Sequence, residues 1–366
     1  MKRMARSAVI MGVAGLALAA CGAAPEETEP GDGDTGDATV EEIDYKACMV
    51  SDAGGFDDQS FNQSGFEGLQ QAESELGVEV VEVESSADTD YTPNIDSLVS
   101  QNCNLVIGVG FLLEDPIQAA AEANPETDFA LVDSAFSAPD FSPVTLDNGK
   151  PLLFDTAQAS YLAGYLAAGM SQTGVVATFG GIQIPSVAIF MDGFSDGIDK
   201  YNEDNGGDVT LLGWDKEAQT GSFTGDFENQ ANGQNLTAGF IDQSADIILP
   251  VAGPVGLGAA AAAQEAGDTS IIWVDSDGYE TTEYGELIMT SVVKQIGPAV
   301  FDSIQASAEG GFDPEPYVGT LENEGVGLAP YHDFDSEVPA ELKTQVDELK
   351  QQIIDGEITV ESPNSP

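Results

Sequence analysis

The sequence predicts an α/β protein made of two doubly wound parallel-sheet lobes with a cleft between them. Three observations carry that prediction. Short apolar runs alternate with segments of helical period from residue 45 onward. The alternation restarts after about residue 152, giving two units of similar length. Polar residues or glycines collect at the carboxyl ends of the strands in both halves. Alternation of this kind puts a parallel sheet under helices on both faces.

The chain begins with Lys2, Arg3 and Arg6, followed by an apolar run over residues 8–20. That run is too short to cross about 30 Å of hydrocarbon as a helix. It fits the apolar region of a secretory signal. It ends in Leu18-Ala19-Ala20-Cys21, which resembles the lipobox of bacterial lipoproteins. That resemblance implies cleavage before Cys21, a diacylglycerol on its thiol and attachment to the outer side of the cell membrane. Residues 22–44 are Gly, Pro, Thr and acid, with almost nothing to bury, and read as a disordered acidic tether.

The first half then reads as strand 45–51, helix 60–76, strand 78–84, helix 93–102, strand 104–109, helix 115–124 and strand 128–133. Asp57, Asp58 and Ser60 are candidate caps for the helix at 60–76. The second half reads as helix 156–171, strand 174–180, helix 186–203, strand 208–214, helix 228–243, strand 246–251, helix 256–266 and strand 270–275. The expected division is residues 45–152 with about 284–335 in lobe 1 and 153–283 in lobe 2. An amphipathic helix over 339–357 lies in a C-terminal segment, 336–366, that the sequence assigns to neither lobe.

Charge narrows the partners. The chain has 10 Lys and Arg against 64 Asp and Glu. Without the signal, seven cations remain and the net charge is −57, with no arginine left. A phosphate backbone would be repelled, so nucleic acid is not an expected partner. Self-repulsion on this scale works against a compact state at low salt, which points to a saline habitat. Cys48 and Cys103 fall in or beside runs read as neighbouring strands. Outside the membrane a disulfide between them can persist; two buried thiols are the other reading. With one histidine, His332, a structural zinc site is not expected. No cofactor is implied. Triad chemistry needs a histidine beside its nucleophile, and His332 lies past the second parallel unit, so an enzyme is not expected.

In open α/β sheets ligands sit beyond the carboxyl ends of the strands. That rule selects Asp52, Phe111 and Asp133 in the first half. In the second it selects Gly180-Gly181, Val251-Ala252-Gly253 and Asp275. Residues 52–68 add a tight turn at Gly54-Gly55 and a helix start carrying Phe61 and Asn62. Phe61 reads equally as a cleft residue or as core. Lys294, after the apolar Thr290-Ser-Val-Val, reads as a partly buried cation that must be paired. The pairing can be purely structural or can serve a ligand.

The stretch from Asp52 to Ser64 resembles the signature of the basic membrane protein family, roughly D-x-G-G-x-D-D-x-S-F-N-x-S. Further matches are Gly108-Val-Gly-Phe-Leu112, Phe129-Ala-Leu-Val-Asp133, Tyr161-Leu-Ala-Gly-Tyr-Leu-Ala167, Asp192-Gly-Phe194, Val251-Ala-Gly253, Val274-Asp-Ser-Asp277 and Thr290-Ser-Val-Val-Lys294. The resemblance implies a two-lobed type I periplasmic-binding fold that closes on a small solute and docks on an ABC permease. It implies a purine nucleoside as cargo, with Phe61 stacking on the base and Asp52, Asn62, Asp133 and Asp275 taking hydrogen bonds. Lys294 would reach the sugar, with Phe111 and Gly253 on the rim. The binder is expected to be a monomer. A second stacking aromatic is expected among Phe190, Phe194 and Phe223. The chain departs from the family pattern at Gly253-Pro254 and at Phe66, where the family commonly has glycine and tryptophan.

Overall fold

The fold comes from a computed structural model that describes residues 42–140 and 142–366. Cys21, the signal and the tether up to residue 41 lie outside the described residues.

The first half supplies β1 (Lys46–Ser51), α1 (Phe61–Leu76), β2 (Glu79–Val83), α2 (Asp88–Ser100), β3 (Leu105–Val109), α3 (Glu114–Ala123), β4 (Asp128–Val132) and β5 (Gly149–Phe154). The second supplies α4 (Thr156–Met170), β6 (Val175–Gly180), α5 (Pro185–Asn205), β7 (Thr210–Leu212), β8 (Trp214–Asp215), β9 (Thr220–Gly221), α6 (Gln230–Ile241) and β10 (Ile247–Val251). It continues with α7 (Val255–Ala266), β11 (Ser270–Asp275), α8 (Gly278–Thr281) and β12 (Ile288–Lys294). The chain ends with α9 (Ile296–Ala308), β13 (Tyr317–Gly319), β14 (Val326–Leu328) and α10 (Ala340–Ile354).

Two six-stranded sheets result, in the orders β13-β5-β4-β3-β1-β2 and β14-β12-β11-β10-β6-β7. The first is parallel throughout; in the second, β14 runs antiparallel to β12. The central strands are buried from end to end, as strands covered on both faces must be. Cys48 in β1 and Cys103, just ahead of the neighbouring β3, form a disulfide with Cα atoms 5.9 Å apart.

Pairing corrects the expected lobe boundaries. The sequence reading returns the chain to the first lobe at about residue 284. Instead β12 pairs with β11 in the second sheet, and the crossing falls at Gln295. Only α9, packed on α1, and β13 rejoin the first lobe; β14 belongs to the second. The misplacement has a plain cause: parallel partners are not neighbours in sequence, so an apolar run such as residues 288–293 fits either sheet. α10 lays Leu342, Val346 and Leu349 inward and packs on α4, which places it with the second lobe.

The chain therefore crosses between lobes at Asp155, at Gln295 and between β13 and β14. The crossings are tied to each other. Asp155 N–H donates to the Gly319 carbonyl at 2.8 Å and Gln295 N–H to the Gly325 carbonyl at 3.0 Å. Gln158 bridges them, donating to Asp155 at 2.8 Å and accepting from Leu321 N–H at 3.0 Å. These short, bonded crossings form the hinge.

Smaller corrections have local causes. α2 starts at Asp88, five residues before the expected start, with Pro93 inside it. Pro93 removes one donor, while Asp88 and Asp90 favour the amino end of the helix. The expected strand over 208–214 breaks at Gly213, whose φ of 89° turns the chain into the β8–β9 hairpin.

Candidate functional site

The carboxyl ends of both sheets face each other across one cavity of about 60 Å³. β1 and its turn present Asp52, Phe61 and Asn62; the residues after β3 and β4 present Phe111 and Asp133. From the second lobe come Gly253, Asp275 and Lys294. These eight residues line one space, as do Val251 and Ala252; Gly180 and Gly181, also selected at a strand end, do not line it and are covered by Phe223 and Phe227.

Turn chemistry places the first group. Gly54 and Gly55 take φ of 114° and 72°, which frees the chain to fold back onto α1. α1 is capped by Asp58 rather than by Asp57 or the Ser60 hydroxyl. The Asp58 carboxylate accepts from the backbone N–H of Ser60 at 3.0 Å, Asn62 at 2.9 Å and Gln63 at 3.0 Å. Burial pushes Asp58 up to about 6 despite those three donors. Asp52 is also buried, and burial raises its carboxyl well above the usual range; the Asn62 amide at 3.3 Å opposes that shift, and Asp58 and Asp133 add to it. Gly110 makes room for Asp52: its φ is 124°, and a Cβ there would collide with the Asp52 carboxylate.

Asp133 and Asp275 occupy equivalent positions in the two lobes, each directly at the end of a strand. Both have left-handed backbones, with φ of 66° and 69°. Strain of this kind persists only where the surroundings enforce it, and it gathers at binding sites. Both carboxylates converge on Lys294, at 2.5 Å from Asp133 and 3.3 Å from Asp275. Lys294 is only 3 % exposed. Burial works against its charge, but the two carboxylates outweigh burial and raise its pKa above the ordinary lysine value. Its ammonium also lies 4.7 Å from the Phe61 ring centre and 5.3 Å from that of Phe190. Asn62 donates to Asp52 and to the Ala53 carbonyl, while its buried Oδ1 has no partner among the described residues.

Among the three candidate second aromatics, Phe190 lines the cavity. Phe194 is wholly buried in the core, and Phe223 packs edge-on against Trp214. Phe227 lines the cavity unannounced by the sequence. It sits in an irregular segment ahead of α6, where no period orients a side chain, and packs against Gly181. Phe66 stacks on Phe56 at 4.8 Å, outside the cavity lining. His332 bonds Asp277 at 2.7 Å and stacks on Tyr279 at 4.0 Å, likewise outside it.

Two hinged α/β lobes with a polar and aromatic cavity at their facing strand ends define a solute-binding protein. A family model described as "ABC transporter substrate-binding protein PnrA-like" matches residues 45–363, and the chain belongs to that family, Bmp. It is accordingly a substrate-binding protein of an ABC transporter, with a small-molecule ligand and a permease partner, and not an enzyme. The chain is 31% identical to the ABC transporter nucleoside-binding protein BmpA of Lactococcus lactis, over 87% of this chain and 90% of that one. It is 29% identical to the CD4+ T-cell-stimulating antigen of Listeria innocua over 96% of each. An ABC transporter solute-binding protein from Aeropyrum pernix superposes with a TM-score of 0.78 at 25% identity, over 87% of this chain and 94% of that one.

Proposed function

We propose that the chain is the extracytoplasmic, lipid-anchored binding protein of an ABC importer and that it captures a purine nucleoside by closure of its lobes. The observation that carries this reading is Lys294, held by a carboxylate from each lobe beside the Phe61 ring. A nucleoside has two unlike ends, and the cavity has two matching regions. Phe61, Phe190 and Phe227 offer faces and edges to a flat heteroaromatic ring. Asp133, Lys294 and Asp275 offer acceptors and a donor to sugar hydroxyls. The unpartnered Oδ1 of Asn62 calls for a donor, which an N–H on the base supplies. A bare sugar would leave the aromatic wall unused. The name of the Lactococcus relative points the same way. Cys21 would carry the lipid, the acidic segment after it would tether the domain, and the protein would work as a monomer.

Calorimetry against adenosine, guanosine, inosine, cytidine and ribose tests this. Heat is expected with purine nucleosides and none with ribose alone. Phe61→Ala is expected to weaken binding by about 1–3 kcal/mol, the worth of a base stacked on an aromatic ring. The absence of heat with every nucleoside would retire the proposal.

A further inference from the structure

Gln59 and Ser60 stand where the lobes meet. Gln59 has a φ of 57°, a left-handed backbone that costs a non-glycine residue free energy. The second lobe holds it there. The Gln59 carbonyl accepts from Trp273 Nε1 at 3.3 Å, Ser276 Oγ at 3.2 Å and Thr281 Oγ1 at 3.2 Å. Ser60 Oγ lies 3.0 Å from Oδ2 of Asp275 and 3.2 Å from the Val274 carbonyl. The other oxygen of that carboxylate, Oδ1, receives Lys294. Both residues belong to the first lobe and all these partners to the second. Phe61 and Asn62 follow directly in the chain and line the cavity.

We propose that Gln59 and Ser60 are positioning residues, forming a latch between the lobes that also orients Asp275 toward Lys294. Asp58 has already taken the N–H groups that begin α1, so the Ser60 hydroxyl is free to reach across. Because the latch uses no ligand atom, it populates a closed form of the ligand-free protein. A ligand packed on Phe61 and Asn62 braces the same turn and deepens that state through its differential affinity. Only this ligand half rests on the nucleoside reading; the latch itself stands on contacts between the lobes.

Small-angle X-ray scattering of the full chain without ligand separates the two halves. Ser60→Ala and Thr281→Val each remove one hydroxyl, from opposite lobes. Wild type is expected to be more compact than either variant, and coincident radii of gyration for all three would overturn the latch. Thr281 is partly exposed and outside the packed turn, so its variant decides the matter if Ser60→Ala fails to fold. Stopped-flow measurements with inosine then read the coupling. Dissociation is expected to quicken about three- to tenfold in each variant, with association changed far less. A slower association with unchanged dissociation would overturn the positioning role. If inosine does not bind, the nucleoside reading is in question while the scattering still decides the latch.

Discussion

Two buried carboxyls make the site sensitive to pH before any ligand arrives. Asp52 and Asp58 are both raised by burial, and among the described residues neither has a cation within bonding distance. A carboxyl whose folded value exceeds its unfolded value binds a proton more readily when folded. Its favourable contribution is therefore present below the unfolded value near 4 and lost as pH rises through the folded value. For Asp58 that window runs from about 4 to about 6, a swing of about 3 kcal/mol at one unit per 1.36 kcal/mol. The ligand-free protein is expected to melt at a higher temperature at pH 5 than at pH 7.5. Asp52→Asn keeps the shape and the contact with Asn62 but cannot ionise. It should narrow that difference by raising the melting temperature at pH 7.5, while weakening ligand binding. Melting temperatures that fall in parallel for wild type and variant would mean that Asp52 stays ionised in the fold. A neutral Asp52 still accepts from Asn62 Nδ2 and gains an O–H that can donate to a ligand in the cavity.

At the scale of elements, the disulfide fastens β1 to the entry of β3 across 55 residues of chain. Those residues hold α1, β2 and α2, including the turn that carries Asp52, Phe61 and Asn62. In the loop-entropy description, a closure of this length is worth about 4 kcal/mol. Reduction, or Cys48→Ala with Cys103→Ala, is expected to lower stability by about that amount in urea titrations. An unchanged midpoint would show that the core around Cys48 suffices without the bond. Much of this element level was legible beforehand. β1, β3, β4, β10 and β11 are short apolar runs with a polar residue or glycine at the end, and that ending is what aims Asp52, Asp133, Gly253 and Asp275. The helix-period segments between them fixed the alternation. What escaped had no local signature. β12 is apolar enough for either sheet, and only its pairing with β11 assigns it. Phe227 lies in a segment without periodicity. Ser60 read as a candidate helix cap and Gln59 carried no signal of its own, because the lobe they contact lies more than 200 residues away. Gly110 could have been suspected, since a glycine just past a strand end often marks a close backbone approach, but its partner Asp52 comes only from the fold.

For the whole molecule, the balance of charge decides how firmly the lobes hold together. Among the described residues the paired surface cations are few: Lys46 with Glu79, Lys200 with Asp204, Lys216 with Asp196 and Lys343 with Asp335. Exposed pairs of this kind contribute little, roughly 0–1 kcal/mol each, and added salt weakens them. Against them stand 64 acidic residues in a chain with 10 Lys and Arg, so the summed repulsion outweighs the pairs. Salt acts on both, but it screens the larger effect more. The melting temperature is therefore expected to rise with NaCl, steeply at first and then levelling as the screening length falls from about 10 Å at 0.1 M to about 3 Å at 1 M. A gain of about 2 kcal/mol would appear as roughly 3 °C in a folded part of about 320 residues, at about 2.1 cal/mol/K of unfolding entropy per residue. The Lys294 cluster is enclosed between the lobes and screened much less, so ligand affinity should change far less than stability over the same range. Differential scanning calorimetry from 0.05 to 2 M NaCl, repeated with a neutral osmolyte, separates the explanations. A rise with salt alone that saturates below about 1 M identifies screening. A melting temperature indifferent to NaCl would mean that the acidic side chains are too widely spaced to repel one another appreciably, and the inference of a saline habitat would fall with it.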